Sequence, residues 1–192
     1  MKILIGLVLL AGLIAVPSLA LSSDGFGLVG AHIGYMAAPD YLEGGGFEDS
    51  KSVSYGADGI FLFTPGQGGL SFGGSVSYTM ATFEAEDINA EMEFKYLAFA
   101  PLIGSVNSSG NGDKTAFWVG YEFASTELTL DVNEASWLGS HDLDVEGNAG
   151  AIVAGLGIVG QNNFGFYGGM RYIMGIEDSN TYELYIGAGF GF

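Results

Sequence analysis

The chain has 192 residues, 48% of them hydrophobic, yet it carries 22 Asp and Glu against 5 Lys and Arg, a net charge of −17. That surplus of acid excludes nucleic-acid binding through a basic patch and docking onto anionic lipid through a polybasic stretch. Cysteine is absent, so no disulfide can hold the fold, while 33 Gly, 14 Phe and 10 Tyr against 4 Pro set the composition apart from an ordinary soluble domain.

The first 20 residues, MKILIGLVLLAGLIAVPSLA, have the layout of a secretory signal peptide. Lys2 supplies the positive start, Ile3 to Val16 the apolar run and Pro17 the break. Ser18 and Ala20 stand where a signal peptidase requires small residues, so cleavage is expected after Ala20. No cysteine follows to accept a lipid anchor. Residues 21–192 then form one domain. Beyond residue 20 no apolar run approaches the roughly 18 residues that a membrane helix needs. A hydrophobic exported chain without such helices points to a transmembrane β-barrel, whose apolar residues are spread over alternate strand positions.

Eight segments show that alternation. In the first, Gly25 to Ala37, Val29, Ala31, Ile33 and Tyr35 share the outer face, opposite His32 and Gly34. The second, Val53 to Thr64, puts Tyr55, Ala57, Phe61 and Phe63 outward and Ser54, Gly56 and Asp58 inward. In the third, Phe72, Val76, Tyr78 and Met80 alternate with Ser71, Ser75, Ser77 and Thr79. The fourth is expected to place Met92, Phe94, Tyr96 and Ala98 outward, and Glu93, Lys95, Leu97 and Phe99 inward. The fifth, Thr115 to Ser125, opposes Phe117, Val119, Tyr121 and Phe123 to Trp118, Gly120 and Glu122. The sixth, Asp144 to Ile158, is the weakest, with Val145, Ala149, Ala151 and Val153 expected outward. The seventh turns Phe164, Phe166, Met170 and Tyr172 out against Tyr167, Gly169 and Arg171. The eighth sets Tyr182, Leu184, Ile186, Ala188, Phe190 and Phe192 against Thr181, Glu183, Tyr185, Gly187, Gly189 and Gly191.

The expected fold is therefore all-β: a transmembrane antiparallel up-and-down β-barrel of eight strands. An even count lets both chain ends lie on one side, and closure gives every backbone amide in lipid a partner. The connections after strands two and six are short, and that after strand four, SVNSSGNGDK, is small and polar. Those after strands one, three, five and seven hold the acid: Asp40, Glu43, Glu48, Asp49, Glu84, Glu86, Asp87, Glu91, Glu127, Asp131, Glu134, Asp142, Glu177 and Asp178. With the N-terminus periplasmic, these are the cell-exterior loops. The longest, about 126–143, alternates as well and should form a hairpin projecting beyond the membrane.

The last eight residues, YIGAGFGF, resemble the C-terminal assembly signal of bacterial outer-membrane proteins. Tyr185, Gly187, Phe190 and Phe192 fill the positions of that signal, and the resemblance implies recognition by the barrel-assembly machinery. As a whole the chain looks like the small eight-stranded outer-membrane barrels of the OmpA, OmpX and OmpW kind. The resemblance implies integral residence in the outer membrane, with lipid and lipopolysaccharide as neighbours.

Several strings imitate enzyme motifs. Gly155 to Gly160 matches GxGxxG, but QNNFGFYGG follows, where a dinucleotide site needs a helix. Ser71 lies in a GxSxG string without the strand-turn-helix corner of a nucleophile elbow, and neither of the chain's two histidines, His32 and His141, has a serine two residues away, as a barrel deacylase would show. Asp142-Leu-Asp144-Val-Glu146 begins like a Ca²⁺ loop, but its closing Glu would fall on Val153. No catalytic, cofactor or dedicated metal residue is expected, although the acidic loops could hold divalent cations loosely.

The informative polar set is the interior one: His32, Asp58, Glu93, Lys95, Glu122, Arg171 and Glu183. Arg171 should bridge Glu183 on the next strand, and Lys95 should meet Glu122. Charges inside a barrel must be paired or wet, and an eight-stranded lumen is only wide enough for side chains. The expectation is a structural plug, with a non-enzymatic structural or surface-interaction role for the exterior. A narrow channel for small or hydrophobic solutes is the alternative, and a lipid-modifying enzyme a third.

Overall fold

The computed structural model describes residues 25–38, 51–65, 69–85, 90–132, 141–176 and 179–192. The expected signal peptide and its cleavage site after Ala20 lie outside the described residues, as do Asp40, Glu43, Glu48, Asp49, Glu86, Asp87, Glu134, Glu177 and Asp178.

Among the described residues, eight strands form one sheet: β1 Gly25–Ala37, β2 Lys51–Phe63, β3 Ser71–Ala85, β4 Ala90–Ser108, β5 Lys114–Val132, β6 His141–Val159, β7 Phe164–Ile176 and β8 Ser179–Gly191. Each pairs antiparallel with the next, and β8 pairs with β1, so the sheet closes into a barrel. The seam runs from Leu28 opposite Gly191 to Met36 opposite Glu183. It is completed by reciprocal backbone hydrogen bonds between Gly27 and Phe192, 3.1 and 3.0 Å.

The two ends of the barrel differ. At the end carrying Gly25 and Gly191, Ser109–Asp113 and Gly160–Asn163 make tight turns, helped by positive φ at Gly112 (87°) and Asn163 (59°). Half of the SVNSSGNGDK connection is thus strand, with β4 continuing to Ser108 and β5 starting at Lys114. At the opposite end β4, β5 and β6, 19 residues each, outrun the 13-residue β1, β2, β7 and β8. The β5–β6 ladder continues to Val132 opposite His141, which is the projecting hairpin expected there.

Strand alternation sorts the side chains. Val29, Ile33, Tyr55, Phe72, Tyr78, Phe117, Tyr121, Phe123, Phe166, Met170, Leu184, Ile186 and Phe190 are exposed on the outer wall, an apolar belt of the kind hydrocarbon covers. Six strands face as the alternation predicts. On β4 and β6 the faces are reversed. Met92, Phe94, Tyr96 and Ala98 are buried inside, whereas Phe99 and Ile103 face outward. Ala151 and Val153 are likewise inside, with Ile152, Leu156 and Ile158 outside. The reason is register. Cross-strand partners share a face, and Tyr96 pairs with inward Thr79, while Ala151 pairs with inward Glu122. Both faces of these two strands are apolar, so their own sequence does not fix the phase.

Inside, the side chains stack in three layers. An apolar cluster around Met36, Phe83, Phe94, Leu128 and Ile173 fills the half toward the projecting hairpins. A second, around Phe26, Leu28, Leu62, Trp118 and Val159, fills the other half. Glycine makes room for the large rings: a side chain at Gly155 would collide with the Trp118 indole. The charged residues lie between the two clusters.

Candidate functional site

The middle layer is organised by Arg171, which is fully buried. β7 delivers it to the barrel axis, where it reaches beyond its neighbouring strands. Its Nε donates to Glu122 Oε2 on β5 at 2.7 Å. Its Nη1 donates to Glu183 Oε2 on β8 and to Thr79 Oγ1 on β3, the latter at 3.2 Å. Asp58 Oδ1 on β2 stands 3.6 Å from Nη2. The guanidinium is also flanked by two rings, with Tyr96 and Tyr185 centroids 5.3 and 5.0 Å from its central carbon. Guanidinium suits this position, because its fork of donors can serve several carboxylates while its faces meet aromatic rings.

Each carboxylate has a further hydroxyl donor. Tyr96 donates to Glu122 Oε2 at 2.8 Å and Tyr167 to Asp58 Oδ2 at 2.9 Å. Ser54 donates to Glu183 Oε1 at 2.5 Å. His32 lies between two of them: Nδ1 is 2.6 Å from Asp58 Oδ2, and Nε2 is 3.5 Å from Glu183 Oε1. Among the described residues, Glu122 Oε1 and Arg171 Nη2 alone are buried without a hydrogen-bond partner. With apolar clusters on both sides, this arrangement cross-links the lumen.

Five of the seven expected interior residues therefore meet in one cluster: His32, Asp58, Glu122, Arg171 and Glu183. Glu93 and Lys95 do not. Both face outward on the reversed β4, and Lys95 pairs with Glu93 at 3.2 Å and Glu127 at 3.4 Å in place of Glu122. They lie beyond the apolar belt, so their charges meet water and need no burial. Glu93 first, and then Glu127, push the Lys95 ammonium pKa up. Sequence reasoning missed Tyr96, which it turned outward, and the supporting roles of Ser54, Thr79 and Tyr167. Inward tyrosines and hydroxyls level with buried charges were the available signal.

The four residues of the expected assembly signal take distinct places. Tyr185 is buried, with its ring 5.2 Å from that of His32. Gly187 gives the space that the Tyr167 ring fills. Phe190 is 71% exposed on the belt, and the Phe192 ring covers Gly27. Ser71 of the GxSxG string is buried, with its hydroxyl 2.7 Å from that of Thr64. The GxGxxG string is the end of β6 and its turn.

A second charged feature covers the outer face of the projecting sheet. Glu84 on β3 is directly opposite Glu91 on β4. Glu127 on β5 lies between Lys95 on β4 and Glu146 on β6. Like charges directly opposite one another repel, and among the described residues Lys95 is the basic group interleaved with these acids.

No protein-family model matches the chain, and no curated protein does. Solved structures match over most of the length. Neisserial surface protein A is 14% identical, with 88% of this chain and 98% of that chain covered and a TM-score of 0.53. The attachment invasion locus protein of Yersinia pestis, solved in complex with the heparin analogue sucrose octasulfate, is 17% identical over 88% of this chain and 99% of its own, with a TM-score of 0.50. At such identities the likeness is one of fold, and the fold is the small eight-stranded outer-membrane barrel.

Proposed function

We propose that this integral β-barrel of the bacterial outer membrane has a structural and surface-interaction role, exerted through its acidic cell-exterior face. The observation that carries the reading is the outer face of β3–β6, where Glu84 opposes Glu91 and Glu127 opposes Glu146 just beyond the apolar belt. Lys95 offsets part of this repulsion at Glu127, and bound cations lower the remainder. The surrounding lipopolysaccharide offers phosphates that need the same cations, so a divalent ion can bridge the two.

The supply of basic residues supports this. Of the five, Lys2 is in the expected leader, Arg171 is buried and Lys114 lies at the opposite end of the barrel, hydrogen-bonded to the Gly25 carbonyl. Lys51 and Lys95 are left near the exterior, against many acids. A polyanion such as the one bound to the Yersinia protein would meet repulsion here. The interior supports the same reading, because a cross-linked, apolar-capped lumen serves rigidity better than transport.

The test is chelation. Removing divalent cations from the barrel in lipopolysaccharide-containing membranes is expected to lower its melting temperature and release co-purifying lipopolysaccharide. If neither changes, cation bridging is wrong.

A further inference from the structure

β1 places one ionisable side chain in the buried layer, His32. Directly opposite it on β2 is Gly56, and a Cβ there would come within 2.7 Å of the ring's Cε1. The sequence thus clears room for an imidazole at this point. The ring touches three other strands. Nδ1 is 2.6 Å from Asp58 Oδ2 on β2. Nε2 is 3.5 Å from Glu183 Oε1 on β8 and 3.3 Å from Thr79 Oγ1 on β3.

Both ring nitrogens face acceptors, and only imidazolium donates from both. A neutral ring has one alternative: Nδ1–H donates to Asp58, and the Thr79 hydroxyl donates to Nε2. Charge decides between the two. The layer holds three carboxylates, Asp58, Glu122 and Glu183, against the single guanidinium of Arg171. A neutral ring leaves the layer at −2, between two apolar clusters, and imidazolium leaves it at −1. Such a setting penalises uncompensated charge heavily. The neighbouring phenols do not change the count, because as neutral hydroxyls Tyr96 on β4 and Tyr167 on β7 donate to Glu122 and Asp58. Tyr185 on β8 adds its ring, 5.2 Å from that of His32. No lysine serves the layer. Lys95 pairs with Glu93 and Glu127 on the outer wall, Lys114 holds the Gly25 carbonyl, Lys51 is exposed at the start of β2, and Lys2 is in the expected leader. His32 is the remaining group that can become a cation by taking up a proton.

We propose that His32 is held as an imidazolium and that its proton locks the barrel, tying β1 to Asp58 on β2 and, across the closing seam, to Glu183 on β8. Removing the proton takes away one of the two cations and weakens both ties. The folded barrel gathers around this proton carboxylates that the unfolded chain does not bring together, so stability falls as alkali removes it.

The test uses untagged residues 21–192 carrying His141→Asn, which leaves His32 as the only histidine, refolded in detergent micelles. Nitrogen-15 NMR of the ring at about pH 7.5 is expected to show a proton on both Nδ1 and Nε2. Urea unfolding then compares about pH 7.5 with about pH 10. The parent midpoint is expected to fall by about 0.5 M or more, and that of the barrel with His32→Asn added by clearly less. Because His32→Asn strips Asp58 of its partner and can prevent refolding, His32→Asn combined with Asp58→Asn is the second reference, expected to refold and to show the same small response. A neutral ring at about pH 7.5, with its proton on Nδ1 alone, would overturn the proposal. So would an alkaline fall of equal size in the parent and in either reference.

Discussion

Replacing Arg171 by Met keeps most of the side-chain volume and removes the one guanidinium of the interior cluster. Two hydrogen bonds to carboxylates, from Nε to Glu122 and from Nη1 to Glu183, are lost. At ~1.5–3 kcal/mol for a bond to a charged partner, they set a scale of ~3–6 kcal/mol. The carboxylates left behind sharpen the loss. Glu122, Glu183 and Asp58 are each at most 3% exposed and can neither reach water nor find another guanidinium. Breaking a buried ion pair from one side costs ~3–5 kcal/mol for this reason, and that is the expected destabilisation. Urea unfolding of the refolded barrel in detergent micelles, followed by tryptophan fluorescence, measures it. Adding Glu122→Gln and Glu183→Gln to Arg171→Met removes two of the three orphaned charges, leaving Asp58 with His32, and should recover a large part of the loss. If Arg171→Met costs less than ~1 kcal/mol, or if the triple variant is no better than the single one, the cluster does not hold the lumen as described.

Lys95→Gln tests the contrast between buried and exposed pairing: the same unfolding experiment should show a change of at most ~1 kcal/mol, because water screens its pairs with Glu93 and Glu127. A loss as large as that of Arg171→Met would put Lys95 back among the interior charges. In planar bilayers, residues 21–192 should give no discrete single-channel openings, since apolar clusters lie above and below the charged layer. Cation-selective openings would revive the channel alternative.

The strands were legible because lipid outside and a narrow lumen inside force a period of two, and glycine opposite aromatic residues marks which face is which. Where that contrast is missing, so is the information. β4 offers Met92, Phe94 and Tyr96 on one face and Leu97, Phe99 and Ile103 on the other, and no single-strand pattern can say which side lipid takes. Glu93 and Lys95 then suggest an interior face, because a charge within a membrane strand belongs inside. They are exempt because β4 continues past the apolar belt, a length visible only once it is paired with β5. Lys95 and Glu122 fail to meet for the same reason: pairing puts Lys95 opposite Glu127. The partnership of Arg171 with Glu183 was legible because the two are direct cross-strand neighbours. Its reach to Glu122, past β6, depends on barrel curvature that no local pattern encodes.

That reach bears on how the barrel can fold. The ionic cluster draws side chains from every strand but β6: His32, Asp58, Thr79, Tyr96, Glu122, Arg171 and Glu183. A partly zipped sheet could pair Arg171 with Glu183 and His32 with Asp58, since each pair lies on adjacent strands, but the contacts of Arg171 with Asp58 and of His32 with Glu183 wait for the seam. Each intermediate with the seam open thus holds an incomplete cluster, and the full reward comes only with the last ladder. The cluster therefore acts as a cooperativity device. It penalises open sheets and makes closure of the β1–β8 seam the step that renders the whole structure stable at once.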